Sequence, residues 1–280
     1  MRGLGTPPAG DGKRVRRPLG NAPARRRGGP QPGAQGPGYW LSGRRAVAAA
    51  LQHGRVRRLL VSEGAHGLVA LFAAAAAVGL VVERLPRDGL DRLAGTDAQG
   101  CVAWVIPIVP VDLEATLAAL RQSPRALLVA CDRIQDPQNL GAIARTAEAV
   151  AAAALILPTH RAAGLTPGAE RSAAGALQAL PCALVHNLTW ALDRCRAAGF
   201  WTYGAALDGE VDFTRAAFAA KAVLVVGAEG RGLSPLVRRH CDRTVRLPMW
   251  GSVQSLNAAV AAGILMYEWT RGAASEGRAH

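Results

Sequence analysis

The chain is expected to fold as an α/β protein on a largely parallel sheet, and three features of the sequence lead there. Apolar strand-like runs alternate with helical patterns from residue 126 onward, the order that places helices on both faces of a parallel sheet. The run Ala126-Leu127-Leu128-Val129-Ala130 contains no polar residue, as a strand covered on both sides requires. Two strand-loop-helix junctions then follow close together. Gly227-Ala228-Glu229-Gly230-Arg231-Gly232-Leu233-Ser234 comes after a strand at 222–226, and Pro248-Met249-Trp250-Gly251-Ser252-Val253-Gln254-Ser255-Leu256-Asn257 after a strand at 244–247. Glycines at 227, 230 and 232 leave no Cβ where the chain turns, so backbone groups can come close to a ligand. Ser234 before Pro235 is expected to cap a helix as the first loop ends, and Ser255 to do the same for a helix at 256–269. Neighbouring junctions of this kind form a concave pocket lined by backbone.

Residues 1–38 hold ten Gly, seven Pro and eight Arg or Lys against Asp11 alone, with almost no apolar content. Such a segment cannot offset its ordering entropy and is expected to be a disordered basic arm. A mitochondrial transit peptide, the other Arg-rich possibility, would be amphipathic and contain serine, which this stretch lacks. Residues 39–106 read as a small α/β domain, with helices at 44–52, 67–78 (buried) and 89–94 and strands at 56–61, 80–84 and 101–106. Arg55, Arg57 and Arg58 there either contact phosphates or form a solvated basic edge. Pro107 and Pro110 open a linker over 107–123 that contains a helix at 113–122. The larger domain, 124–272, continues with a loop at 132–138 and helices at 139–151, 169–179 and 188–198, between strands at 155–157, 183–185 and 200–205. A tail at 273–280 follows.

The net charge of +13 and an isoelectric point near 11.0 point to an anionic partner, nucleic acid before a membrane surface. Aromatic residues make up only 5%, which favours phosphate and ribose contacts over base stacking. The five cysteines (101, 131, 182, 195 and 241) are odd in number, widely spaced and never in a C-x-x-C pair. That pattern fits reduced thiols in a cytoplasmic protein and argues against a disulfide framework or a metal site. Cys241 beside His240 is no ligand pair, because adjacent helix residues point apart. No hydrophobic leader opens the chain, and the uncharged stretch 67–82 is short for a membrane span and broken by Gly79.

The usual nucleotide fingerprints are missing. Residues 227–232 read G-x-x-G-x-G rather than G-x-G-x-x-G, there is no P-loop, and Pro235 after Gly232-Leu233-Ser234 excludes a hydrolase elbow. The stretch Asp132-Arg133-Ile134-Gln135-Asp136-Pro137-Gln138-Asn139-Leu140-Gly141-Ala142-Ile143-Ala144-Arg145-Thr146 instead resembles the first motif of the SpoU (TrmH) family of RNA ribose methyltransferases. The loop 227–233 resembles the second, and Leu247-Pro248 through Ser255-Leu256-Asn257 the third, in order and at the family's spacing over about 125–271. Residues 39–105 resemble the small substrate-binding domain of the RlmB branch, which modifies a guanosine of large-subunit ribosomal RNA. One departure is Ala98 before Gln99-Gly100, where that branch carries a histidine.

The resemblance implies a SPOUT fold whose C-terminal segment is tied in a deep trefoil knot, with S-adenosylmethionine held by the knotted loops. It further implies a homodimer with the active site at the subunit interface and the helix at 256–269 in the contact. By motif position, Gly227, Leu247 and Leu256 supply backbone contacts to the cofactor, with Met249 and Gly251 beside them. Arg145, Asn139, Glu229, Ser255 and Asn257 make up the catalytic set. A guanidinium stays protonated in proteins, so Arg145 is a poor general base. Its implied role is to bind the ribose and flanking phosphate and to stabilise the developing alkoxide. Other readings stand residue by residue: an Arg145–Glu148 ion pair on a solvated helix face, Asn139 or Ser255 as caps, Asn257 as a first-turn residue, Glu229 as an acceptor ordering its loop. His160, His186 and His240 lie outside the motifs and read as structural. The function implied is 2′-O-methylation of ribosomal RNA, first a guanosine of 23S rRNA. The alternatives are transfer RNA as substrate, or a non-catalytic RNA-binding, ribosome-assembly role on the same fold.

Overall fold

The small domain is organised by a sheet of β1 (Tyr39–Ser42), β2 (Val56–Ser62), β3 (Val82–Leu85) and β4 (Cys101–Val105), ordered β1-β4-β2-β3 with only β2 and β3 parallel. In this computed structural model residues 37–94 and 98–276 are described, so the basic arm expected at 1–38 lies almost wholly outside the described residues. Helices α1 (Arg44–Gln52) and α2 (Val69–Ala77) pack Val47, Leu51 and Leu71 with Leu59 and Val61 on one face. Helix α3 (Arg87–Ala94) sets Leu90 with Leu60 and Val102 on the other. The alternation along β2 is what feeds both sides. Strand β1 was not expected. Nor is α2 the buried helix anticipated: it buries Leu71 and Ala75 while Val69 and Val78 are exposed. A run of alanines has no polar face to set against a buried one, so its pattern does not separate a surface helix from a core helix.

The larger domain opens with α4 (Leu113–Ala119), capped by Asp112, whose carboxylate accepts the Ala115 N–H at 2.7 Å. It sets Leu113 and Leu117 against Leu188 and Leu192, so the helix of the expected linker packs on the catalytic sheet. There follow β5 (Ala126–Asp132), α5 (Pro137–Ala149), β6 (Ala154–Pro158), α6 (Pro167–Ala173), α7 (Ala176–Ala179), β7 (Cys182–Val185), α8 (Leu188–Ala197) and β8 (Trp201–Ala205). The chain ends with β9 (Val211–Asp212), β10 (Lys221–Gly227), α9 (Pro235–Arg239), β11 (Arg243–Arg246) and α10 (Ala258–Glu276). The seven strands lie in the order β7-β6-β5-β10-β8-β11-β9, every pairing parallel. Leu127, Val129 and Cys131 of β5 join Leu224 and Val226 of β10 in a core with α5 and α10. Ala126, Leu128, Ala130, Val223 and Val225 belong to the opposite core with α4 and α8. Two-sided burial, at roughly 1.5–3 kcal/mol per large aliphatic side chain, is why these strands carry no polar alternation.

Several helix boundaries differ from expectation, and three of the differences bear on the site or the seam. Helix α5 starts at Pro137 and is capped by Asp136, which accepts the Gln138 N–H at 2.9 Å, so Asn139 lies inside the first turn and is no cap. The helix expected at 169–179 breaks in two where Ala174 (φ 51°) and Gly175 (φ 106°) turn left-handed; a Cβ on Gly175 would stand 2.8 Å from that of Ala49 in α1. Helix α10 is capped by Asn257 and not Ser255: its Oδ1 accepts the Ala259 N–H at 2.9 Å, and a serine two residues upstream is too far from the free amides. Ser234 precedes α9 as expected but makes no side-chain capping bond.

The break at 174–175 lets α1 approach α6, and the seam between the domains is closed by charge. Arg55 is 8% exposed, neither a phosphate ligand nor a solvated edge as the sequence suggested. Its Nη1 lies 2.9 Å from Oε2 of Glu170, itself 1% exposed, and its Nη2 donates to Ile106 O at 2.7 Å. The Tyr39 hydroxyl donates to Glu170, and Gln178 Nε2 does so at 3.3 Å. Burial pushes the Glu170 carboxyl up and the Arg55 guanidinium down, and the contact between the two groups opposes both shifts. Arg58 is taken by Glu83 at 2.8 Å, leaving Arg57 exposed. No described helix is long and apolar enough to cross a membrane.

Candidate active site

Gly227 ends β10 in register with Asp132, which ends β5, so both carry the chain into loops at the carboxyl edge of the parallel sheet, where ligands of such sheets bind. A Cβ on Gly227 would fall 2.2 Å from the carbonyl carbon of Gly232, so only glycine allows the loop to fold back, where the Gly232 N–H donates to Ala228 O at 2.8 Å. Asp132, buried, accepts the Ser234 N–H at 2.5 Å, and Arg133 donates to Gly232 O at 3.3 Å. These two residues fix the loop from the neighbouring strand. Their role was not assigned from the sequence, although a charged pair closing an apolar strand is a visible signal.

The two junctions line a half-open cavity. Gly227 and Glu229 line it from the first loop, Leu247, Met249, Ser255 and Leu256 from the second, and Ala205, Ala206 and Leu207 from the end of β8. The β8 wall left no mark in the sequence, because two of its three residues are alanine. Of the expected cofactor residues, Gly251 is the one not on the wall; it is exposed on the outer turn of its loop. Val226, Val245, Ala258 and Ala261 make the interior apolar, and backbone groups of three loops frame it. An apolar slot with backbone donors and acceptors at its rim suits an adenosine.

At the edge of this cavity three side chains from three separate motifs meet. Asn257 Nδ2 donates to Asn139 Oδ1 at 2.8 Å and to Glu229 Oε2 at 3.2 Å, and Asn139 Nδ2 donates to the same oxygen at 3.4 Å. Asn257 therefore caps α10 with its oxygen, one position before the first turn in which it was expected, and holds the cluster with its nitrogen. Glu229 accepts from side-chain amides rather than from amides of its own loop.

Arg145 does not join them. It lies six residues beyond Asn139 on α5, about 9 Å along the axis and some 240° around it. Exposed, it opens on a cleft shared with Arg45 and His53 of the small domain, and it pairs with no described residue, Glu148 included. Among the described residues no group of three His, Cys, Asp or Glu is placed to hold a metal. Burial pushes the thiols of Cys131, Cys182, Cys195 and Cys241 up to about 12, away from any nucleophilic use. His240 Nδ1 sits 3.1 Å from Asp193.

A parallel sheet whose strand-end loops line a pocket, with a ring of amides and carboxylate at its rim, defines an α/β protein with a ligand site at the carboxyl edge of its sheet. Residues 126–267 match the SpoU rRNA Methylase family, and residues 40–108 match the RNA 2′-O ribose methyltransferase substrate-binding domain. The chain belongs to the SpoU family, and it is an RNA 2′-O-methyltransferase that uses S-adenosylmethionine. It is 37% identical over 237 residues to the 23S rRNA (guanosine-2′-O-)-methyltransferase RlmB of Pseudomonas syringae, covering 82% of this chain and 94% of that one. It is 38% identical over 191 residues to the putative TrmH family tRNA/rRNA methyltransferase YacO of Bacillus subtilis, covering 68% and 77%. The SpoU methyltransferase AviRb of Streptomyces viridochromogenes, solved with AdoMet, superposes with a TM-score of 0.70 at 31% identity over 85% of this chain and 91% of that one.

Proposed function

We propose that the protein methylates the 2′-hydroxyl of a guanosine in 23S ribosomal RNA, in the cytoplasm, as a homodimer with a knotted C-terminal segment. The observation that carries this reading is the meeting of Asn139, Glu229 and Asn257 at the rim of the cavity. Likeness to an RlmB protein along 94% of its length favours 23S rRNA over transfer RNA. The knot is supported by strand order: β10 enters between β5 and β8, β11 between β8 and β9, and the loops after both line one cavity.

When bound, S-adenosylmethionine supplies an electrophilic methyl group. Backbone groups of Gly227, Leu247 and Leu256 bind and orient the donor, while Met249 closes the slot to water. In-line attack needs the ribose oxygen held in a near-attack position. With Glu229 Oε2 engaged by two amides, Oε1 remains to accept the sugar hydroxyl, and Ser255 on the wall orients the same group. Arg145 keeps its proton, binds the flanking phosphate and stabilises the oxygen as negative charge grows, the proton leaving to phosphate or water.

Arg145 is off the cavity wall of its own protomer. Beside it Ala142 and Thr146 of α5 continue into an apolar face of α10 where Val260, Ile264 and Tyr267 are exposed. A two-fold partner covering this face would carry one protomer's Arg145 to the other's cavity. Arg45 in the same cleft gives the RNA strand a second cation. The test is nucleotide-resolution mapping of ribose methylation in 23S rRNA from cells with and without the gene. Loss of one guanosine methylation is expected; an unchanged 23S pattern with a lost transfer RNA methylation contradicts the assignment.

A further inference from the structure

With so few aromatic residues, the described tryptophans can be taken one by one. Trp40 and Trp104 pack edge to face at 5.2 Å, and Trp201 carries Arg243 at 5.8 Å. Trp269 holds Arg125 against its ring and donates to Ala219 O at 3.0 Å. Trp190, at the start of α8, follows β7 on the far edge of the sheet from β11. Trp250 differs from all of these. It is 90% exposed, the most exposed large apolar side chain among the described residues, and it has no ring, cation or hydrogen-bond partner among them.

Its position is set by its neighbours. Met249, whose Cα stands about 3.8 Å away, lines the cavity; so do Ser255 and Leu256, and Asn257 completes the amide cluster. The loop bearing Trp250 is thus tied at both ends to the methyl-transfer site. Arg231, between Gly230 and Gly232 that line the same cavity from the first loop, is exposed and has no ion-pair partner among the described residues. One ring and one guanidinium at a cavity mouth are the pair that grips a single-stranded nucleotide, the ring on the base and the cation on phosphate. Covering the ring would bury apolar surface on the order of 150–250 Å².

Resting on the ribose-methylation reading above, we propose that Trp250 is the base-stacking platform of this enzyme, taking the face of the nucleobase at or next to the target ribose. This adds one base contact to the phosphate and ribose contacts that the low aromatic content favours. Every base has a π-face, so Trp250 governs how tightly RNA is held and leaves the choice of guanine to other groups.

The experiment compares full-length wild type, Trp250→Ala and Trp250→Phe on an unmethylated 23S rRNA transcript. Trp250→Ala is expected to raise the KM for RNA about 5- to 150-fold, Trp250→Phe to restore much of it, and the affinity for S-adenosylmethionine to stay unchanged by calorimetry. Tryptophan fluorescence of the wild type is quenched by the transcript, and Trp250→Phe loses that quench. An unchanged KM with a retained quench overturns the proposal. So does a parallel loss of cofactor affinity, which would place the ring on the donor, or weakened self-association, which would place it on a second copy. If the wild type binds donor and transcript but methylates no ribosomal RNA, the parent reading fails while the fluorescence comparison still decides the role of Trp250.

Discussion

The domain seam and the cavity mouth both gather charged side chains, and they treat them in opposite ways. At the seam Arg55 and Glu170 are buried and bonded to each other, to Ile106, to Tyr39 and to Gln178, all from within one protomer. At the mouth Glu229 is exposed and Arg231 has no described ion-pair partner, and Arg145, on the separate cleft it shares with Arg45, has none either. Charges completed by the chain itself hold a geometry; charges left incomplete are there for a ligand. The seam thus ties the small domain to α6 through Arg55 and Glu170.

Breaking the seam should have the largest effect. Arg55→Ala leaves Glu170 buried without its partner and is expected to cost about 3–5 kcal/mol of stability in a denaturant titration. Replacing the pair together, Arg55→Met with Glu170→Leu, should recover most of that. A loss below about 1 kcal/mol for Arg55→Ala, the range of an exposed pair, would contradict the burial seen here. At the unpaired Arg145 the loss falls on turnover instead. Arg145→Ala should lower kcat about 10²- to 10³-fold, with stability within about 0.5 kcal/mol of wild type as for other exposed sites. Equal losses of kcat and cofactor affinity would move Arg145 from the substrate to the donor.

Asn257 belongs to both regimes, being a cap and a site residue at once. Asn257→Ala is expected to lose about 1 kcal/mol of stability together with turnover, whereas Ser255→Ala should change stability by no more than about 0.5 kcal/mol. Similar thermal shifts for the two would restore Ser255 as the cap. The smallest effect concerns the thiols. With their ionisation pushed up to about 12, Cys131, Cys182 and Cys195 carry almost no thiolate at pH 8, and maleimide labelling followed by mass spectrometry should track unfolding rather than reagent.

Much of this was legible in the residues. Strands β5 and β10 announce themselves because two-sided burial removes polar residues from their interiors, and two of the three motifs that converge at the rim begin where those strands end. What stayed hidden depends on partners distant in the chain. Arg55 looks like any arginine at the start of a strand until Glu170 arrives from the other domain. The break at 174–175 was read through as continuous helix although Gly175 marks it; what the sequence does not show is the close approach of Ala49 that the missing Cβ permits. The cap at Asn257 was masked by a serine two residues earlier, and the two-residue β9 is too short to carry a period. Arg145 was identified by its motif, but its separation from the cavity is a matter of helix rotation that the motif does not express.

That separation makes subunit complementation the most direct test of the central claim, that a cavity of one protomer works with Arg145 of the other. Inactive Arg145→Ala and Glu229→Ala subunits would be mixed, the mixed dimers isolated by two tags, and methyl transfer to 23S rRNA measured. If Arg145 acts across the interface, one site of each mixed dimer is intact and about half of wild-type activity returns. If the mixed dimers form and stay inactive, each site needs its own Arg145, and the two-protomer active site is wrong.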